Sequence, residues 1–178
     1  MDSFSSNASP IENRDHDNLE VAISESTGYV NVHGRGSFKV SSSLKGFVNR
    51  LLDGNGRDLV VNVSDCQGMD STFMGVLAGI SQRLKKEAQG SVTLLGASPK
   101  IVKLLSTLGL SRMVIFREVA DARTPELSPL EKKPETPLEA AETMLAAHEK
   151  LVEIEDENTL RFQDVLEYLR EDIRRQGG

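Results

Sequence analysis

The chain has 178 residues, 38% of them hydrophobic, with aromatics at only 4% and no tryptophan. That length holds one ordinary domain, or one compact domain with an extension, and the scarcity of aromatics argues against a base-stacking surface or an aromatic carbohydrate groove. The formal net charge of -6 is uneven: residues 121–178 carry 15 acidic and 8 basic side chains, residues 1–120 carry 12 and 13, so neither part has the positive excess that non-specific nucleic-acid binding needs.

Residues 1–18 are polar, lack periodicity and read as a flexible leader. "LEVAI" and "YVNVH" are short β-rich runs on either side of "SESTG", where Gly28 marks a turn, and together they predict a hairpin. "SFKVSSSLKGFVNRLLDGNG" places Leu44, Phe47, Val48, Leu51 and Leu52 at helical spacing and stops at Gly-Asn-Gly. The glycines of "GRGSF", residues 34–38, read as turn residues leading into that helix, since no Lys or ribose-binding acid follows at the spacing a phosphate loop requires.

"DLVVNVSD" predicts a strand with Leu59, Val61 and Val63 on one face. Cys66 follows at the strand end. As the single cysteine it forms no internal disulfide and points to a reducing, cytoplasmic setting; with no basic neighbour it reads as packed rather than reactive. "STFMGVLAGISQRLKKEA" carries Phe73, Val76, Leu77, Ile80 and Leu84 on one stripe; "SVTLLG" is a strand, "SPKIVKLLSTLG" a helix opened by Pro99, and "SRMVIF" the last strand. Strand and helix alternate at roughly 30 residues per unit, which calls for parallel strands joined by right-handed crossovers. The expectation is one α/β domain over residues 19–118, with the hairpin and three further strands in a single sheet.

Residues 119–137, with four prolines and no apolar rhythm, read as a linker, extended in places. Residues 138–176 form an acidic helical tail. Leu138, Leu145, Val152, Thr159, Leu166 and Ile173 recur every seven residues, with Ala141, His148, Glu155, Phe162 and Leu169 between them. The acidic middle around Glu153, Glu155, Asp156 and Glu157 has no apolar face. The tail should therefore bend near residues 153–158, either folding back on its own domain or pairing antiparallel across a homodimer. Nowhere do 18 consecutive apolar residues call for membrane insertion.

Enzyme signatures are thin: G-x-S-x-G, HExxH and the phosphate-loop motif are all missing. His16, His33 and His148 are scattered over leader, hairpin and tail, and nothing in the sequence joins them to Cys66 or to a carboxylate cluster. His148, on the tail seam, reads as a tolerated interface residue. No metal site and no cofactor are expected. The informative segment is residues 61–77, "VNVSDCQGMDSTFMGVL". A strand ends, Gly68 turns the chain, and Asp70, Ser71 and Thr72 arrive where an amphipathic helix begins. Asp or Ser there caps open backbone N–H groups, worth about 1 kcal/mol. A hydroxyl at the same place is also poised for regulation, because phosphate at a helix N-terminus suits the fold and adds about -1.5 to -2 charges to the surface. The residues alone leave capping and switching both open.

"MDSTFMGVL" resembles the D-S-[ST]-G-[LI]-G-V-L segment of the STAS domain, the fold of bacterial anti-sigma factor antagonists, stressosome scaffolds and the cytoplasmic tails of sulfate transporters. Asp70, Ser71 and Thr72 fall on D-S-[ST], Gly75, Val76 and Leu77 on G-V-L, and "LLGASPKIVKLLSTLGLSRMVIF" is similar to the family's later strand, helix and final strand. Phe73 replaces the small glycine beside the family's phosphoacceptor, and the tail exceeds the family's short final helix. The resemblance implies a STAS-like α/β sandwich, a mixed sheet with helices, plus a C-terminal helical extension.

It also implies an anti-sigma factor antagonist that works by binding. Thr72 would be the phosphorylated hydroxyl, exposed on the first turn of the helix, with Ser71 the second choice. The partner surface would be loop 64–72 and helix 72–86, including Asp65, Asp70, Ser71, Thr72, Phe73 and Val76. The partner would be an anti-sigma factor and kinase of the histidine-kinase-like ATPase class, which supplies ATP and Mg²⁺, so that this chain needs no cofactor. Two other readings remain: a STAS scaffold or assembly subunit of a signalling or lipid-transport complex without phosphoregulation, and a small α/β enzyme with Ser71 or Thr72 as nucleophile, for which the sequence offers no base.

Overall fold

The structure, a computed structural model, describes residues 16–121 and 123–178; residues 1–15 of the expected leader lie outside the described residues. The hairpin forms from β1 (Asn18–Ser24) and β2 (Thr27–Gly36). Its tight turn falls at Glu25 and Ser26, with Glu25 in the left-handed region at φ 54°. Gly28 therefore sits inside β2, opposite Ile23, and not in the turn where the sequence placed it. Gly34 and Gly36 likewise belong to the end of β2.

Helix α1 (Phe38–Asp53) leads to β3 (Asp58–Asn62), β4 (Cys66–Met69), α2 (Ser71–Ala88), β5 (Val92–Leu95), α3 (Pro99–Thr107) and β6 (Ile115–Arg117). Strands β2, β3, β5 and β6 are parallel neighbours in that order. The runs "LVVNV" and "SVTLL" thus share one sheet, as the alternation predicts. Strand β1 closes the other side antiparallel to β2, making the sheet mixed. The final strand is shorter than "SRMVIF" because Leu110–Arg112 wind into a 3-10 turn before it.

Two features were not legible in the sequence. The four residues of β4 pair parallel with the end of β2 after a register shift at Gly34 and Arg35, so the site loop is held by a strand of its own. The proline-rich stretch contributes β7 (Ser128–Leu130), which pairs antiparallel with β1 at the sheet edge. Pro129 is tolerated there because an edge strand does not need every ladder donor.

The tail breaks at Glu155 and Asp156, inside the expected window, into α4 (Pro137–Ile154) and α5 (Glu157–Gly177). Thr136 and Glu139 form a reciprocal cap at the start of α4. The Thr136 backbone N–H, then its hydroxyl, hold the Glu139 carboxyl below the ordinary carboxylate range. That cap contributes fully above the ordinary carboxylate pKa, and its contribution fades as pH falls through the lowered value. Helix α4 lies across α2 and α5 lies on α4.

The α2–α4 contact is close enough to involve backbone: a Cβ on Gly75 would sit 2.2 Å from the Ala147 carbonyl oxygen. Glycine at 75 is therefore a condition of the tail's position. Consequently α2 is buried on two sides. Phe73, Leu77 and Leu84 face the core, while Gly75 and Val76 lie towards α4. The tail seam differs from the heptad reading: Leu151 is fully buried, and Leu138, Leu145 and Val152 only partly.

Asn158 locks the turn between the two tail helices. It is completely buried, and its side-chain amide donates to the carbonyls of Leu108 and Leu151 at 3.0 and 2.8 Å. Replacing it with alanine orphans both carbonyls. Asn158→Ala should lower unfolding free energy by about 1–3 kcal/mol in a urea melt, whereas an exposed substitution such as Thr159→Ala should stay within about 0.5 kcal/mol.

Candidate functional site

The carboxyl ends of β3 and β4 and the N-termini of α1 and α2 meet at one edge of the domain. Asp70 joins them. Its Oδ1 accepts from the Phe73 backbone N–H at 2.8 Å, capping α2, and its Oδ2 accepts from the Phe38 N–H at 2.7 Å, capping α1. Its own N–H donates to the Gly36 carbonyl at 2.9 Å. One carboxylate thus satisfies open donors of two helices, where both helix dipoles favour negative charge. The capping role read from the sequence holds, with a second helix that the sequence did not reveal.

Ser71 is the first residue of α2 and half-buried. Its Oγ lies 2.8 Å from His148 Nε2, and His148 Nδ1 lies 2.7 Å from the Met144 carbonyl. A carbonyl only accepts, so Nδ1 carries a proton, and in the neutral tautomer that this fixes Nε2 accepts from the Ser71 hydroxyl. His148 is buried, edge-on to Phe162 with ring centres 5.1 Å apart. A histidine 77 residues away in the chain thereby becomes the partner of the motif serine; no local signal could have found it. The pair supplies the base that the nucleophile reading lacked. Room for a substrate is another matter, because the cleft of about 680 Å³ between α1, α2 and α4 is lined by Val76 and Gly79 but not by Ser71 or His148.

Thr72 does not stand exposed on the first turn. Only 5% of it is accessible, because the helix turns its second residue inward. Phe73 is fully buried, its ring packed against the backbone at Gly36, where a Cβ would come within 2.6 Å of it. The aromatic that replaces the family's glycine therefore packs under the helix. Val76 is covered too, at the margin of the α4 contact. Among the residues expected to form the partner surface, Asp65, Asp70 and Ser71 reach solvent, whereas Thr72, Phe73 and Val76 are buried. Asp65 stands 3.7 Å from His33 Nδ1 on the same edge.

The surface has other members that sequence reasoning missed. Phe38 is 44% exposed beside Asp70. Arg35 and Lys100 flank Gly68, each with a cationic nitrogen 3.8 Å from where a Cβ on that glycine would lie, and Lys100 donates to the Gln67 carbonyl at 2.8 Å. Cys66 is buried, with its thiol donating to the Gly68 carbonyl. Among the described residues, no three His, Cys, Asp or Glu side chains converge as metal ligands, and no helix is long and apolar enough to cross a membrane.

A family model for the STAS domain matches residues 18–122, more than half of the chain. The chain belongs to the STAS domain family. Solved structures agree on the fold. TM1081 of Thermotoga maritima, assigned as an anti-sigma factor antagonist, superposes with a TM-score of 0.50 at 20% identity, covering 58% of this chain and 89% of that one. The anti-sigma factor antagonist SpoIIAA in its unphosphorylated form gives 0.51 at 16% identity, with 58% and 90% covered. Both matches cover little more than half of this STAS protein, a share comparable to the family match.

The two-helix role of Asp70 has a measurable consequence. Asp70→Ala should cost about 1–2 kcal/mol for each cap lost and should loosen amide exchange at Phe38 and Phe73 together. Protection lost at one of these amides alone would show that the carboxylate serves a single helix.

Proposed function

We propose that this STAS protein acts as an anti-sigma factor antagonist, binding its partner through the edge formed by the β4–α2 loop, with Asp65, Asp70 and Ser71 from the motif region and Phe38, Arg35 and Lys100 beside them. The reading is one of binding rather than catalysis. An exposed phenylalanine beside a carboxylate, on an edge that also carries two cations, suits a protein partner, combining an apolar anchor with polar register. The partner class that the family resemblance implies is an anti-sigma factor and kinase of the histidine-kinase-like ATPase type, in a cytoplasmic setting.

The observation that carries the regulatory part is the half-buried Ser71 hydroxyl at the N-terminus of α2, bonded to His148. A phosphate on Ser71 would sit at the positive end of an 18-residue helix and would change the charge of the docking edge. The motif aligns Thr72 with the family's acceptor, but burial favours Ser71 in the folded chain. The scaffold reading without phosphoregulation draws on the same burial of Thr72, Phe73 and Val76. The Ser71–His148 bond also favours a nucleophilic reading, which a Ser71-dependent turnover of an activated ester would support over binding.

Phosphopeptide mapping from cells, together with affinity purification, tests this. Wild type should carry phosphate on Ser71, the Thr72→Ala variant should keep it, and Ser71→Asp should recover less of the ATPase-class partner than wild type. Phosphate on Thr72 alone would overturn the assignment to Ser71. Equal partner recovery by wild type, Ser71→Asp and Thr72→Glu would overturn phosphoregulation and leave the scaffold role.

A further inference from the structure

Helices α1, α2 and α4 leave a cleft of about 680 Å³ between them. Its floor is apolar, formed by Val48, Val76, Ile80 and Ala147, and it stays open because Gly79 has no side chain: the nearest atom to a Cβ there would be Lys150 Cγ at 4.0 Å. Lys45, Lys85 and Lys86 stand on its rim, and none of them has an acidic partner among the described residues. The other two cations of the rim, Arg83 and Lys150, are already paired with Glu87 and Glu153.

Helix α5 presents the converse surface. It packs on α4 through Phe162, Leu166 and Leu169, and on its outward side Leu160 is 77% and Tyr168 62% exposed. Glu157, Asp164, Glu167 and Glu171 fall within about 100° of these two on the helical wheel, together with Arg161 and Arg175. None of the four carboxylates has a cationic partner among the described residues, although Asp172 pairs with Arg175, and Arg170 with Glu149. One chain thus carries unmatched lysines around an apolar cleft and unmatched carboxylates around an apolar ridge. Its own α5 turns that ridge away from the body it packs on, so the ridge meets such a cleft only on another molecule.

We propose that α5 of one chain seats in the α1–α2–α4 cleft of a second copy, with Leu160 and Tyr168 on the apolar floor and the four carboxylates opposite Lys45, Lys85 and Lys86. Reciprocal exchange about a twofold axis closes the assembly as a dimer. In this arrangement the four carboxylates meet lysines rather than a like-charged copy, and the exposed Leu160 and Tyr168 are withdrawn from water. The proposal is independent of the docking edge at Asp70 and Ser71.

Sedimentation velocity on the full chain, from low to high micromolar concentration, tests it. The expected result is a monomer–dimer equilibrium that shifts towards monomer as salt rises. Lys85→Glu with Lys86→Glu should weaken the dimer about tenfold, and so should Asp164→Lys with Glu171→Lys. Combining all four changes in one chain should restore most of the affinity, because the pairs re-form with reversed sign. All four positions are exposed, so the melting temperature of dilute monomer should hold. Leu160→Asp with Tyr168→Asp should abolish dimerisation. A monomer at every concentration, a dimer indifferent to these changes, or a charge exchange that fails to restore affinity would each overturn the proposal.

Discussion

Helix α2 carries an apolar surface too wide for one sheet face to cover. Phe73, Leu77, Ala78 and Leu84 are essentially inaccessible, and Met74, Val76 and Ile80 nearly so. A helix apolar over so much of its circumference must be buried between two layers. The sheet is one layer; the tail helix α4 is the other, brought to backbone contact at Gly75 and Ala147. The proline-rich stretch, the strand it adds to the sheet edge, the reciprocal cap at Thr136 and Glu139, and the buried Asn158 at the helix turn all serve to bring α4 to that place and hold it there.

This packing shapes the edge proposed for docking. Because α4 crosses α2 near its start, His148 reaches Ser71, and the motif serine is oriented by a residue of the tail rather than by the loop that carries it. The same residues that match the family motif divide by the rotation of the helix: Asp70 and Ser71 face out, Thr72 and Phe73 face in. Asp70 ties this edge to α1 as well, so the exposed Phe38 is placed beside the motif by a hydrogen bond to its backbone. The tail, the second helix and the first helix therefore meet at one point on the surface, joined there by the hydrogen bonds of Asp70 and Ser71.

Charge follows a similar division. The acidic excess of the C-terminal part is not uniformly solvated: Glu149, Glu153 and Glu155 are taken by arginine or lysine partners, while four carboxylates of α5 have no cationic partner among the described residues. The opposite imbalance, three lysines around an apolar cleft, lies on the body of the domain. Net charge alone describes a mildly acidic protein; the fold places unpaired lysines and unpaired carboxylates on different surfaces.

The order of strands and helices from β1 to β6, the cap at Asp70 and the break in the tail were legible in the sequence, because each is a local matter of periodicity, turn chemistry or an interrupted apolar stripe. The motif at residues 69–77 pointed to the family on the same footing. Gly28 misled the placement of the hairpin turn, since a glycine marks a turn or a crowded strand equally well. Strands β4 and β7 escaped notice because four and three residues carry no period to read. Whether a motif residue faces solvent was settled only by tertiary structure: Thr72 and Ser71 are neighbours with like hydroxyls, and which of them is accessible depends on how α2 is rotated against sheet and tail. The Ser71–His148 bond, the two-helix cap of Asp70 and the placement of Asn158 likewise join residues far apart in the chain, and no pattern along the sequence encodes a distance in space.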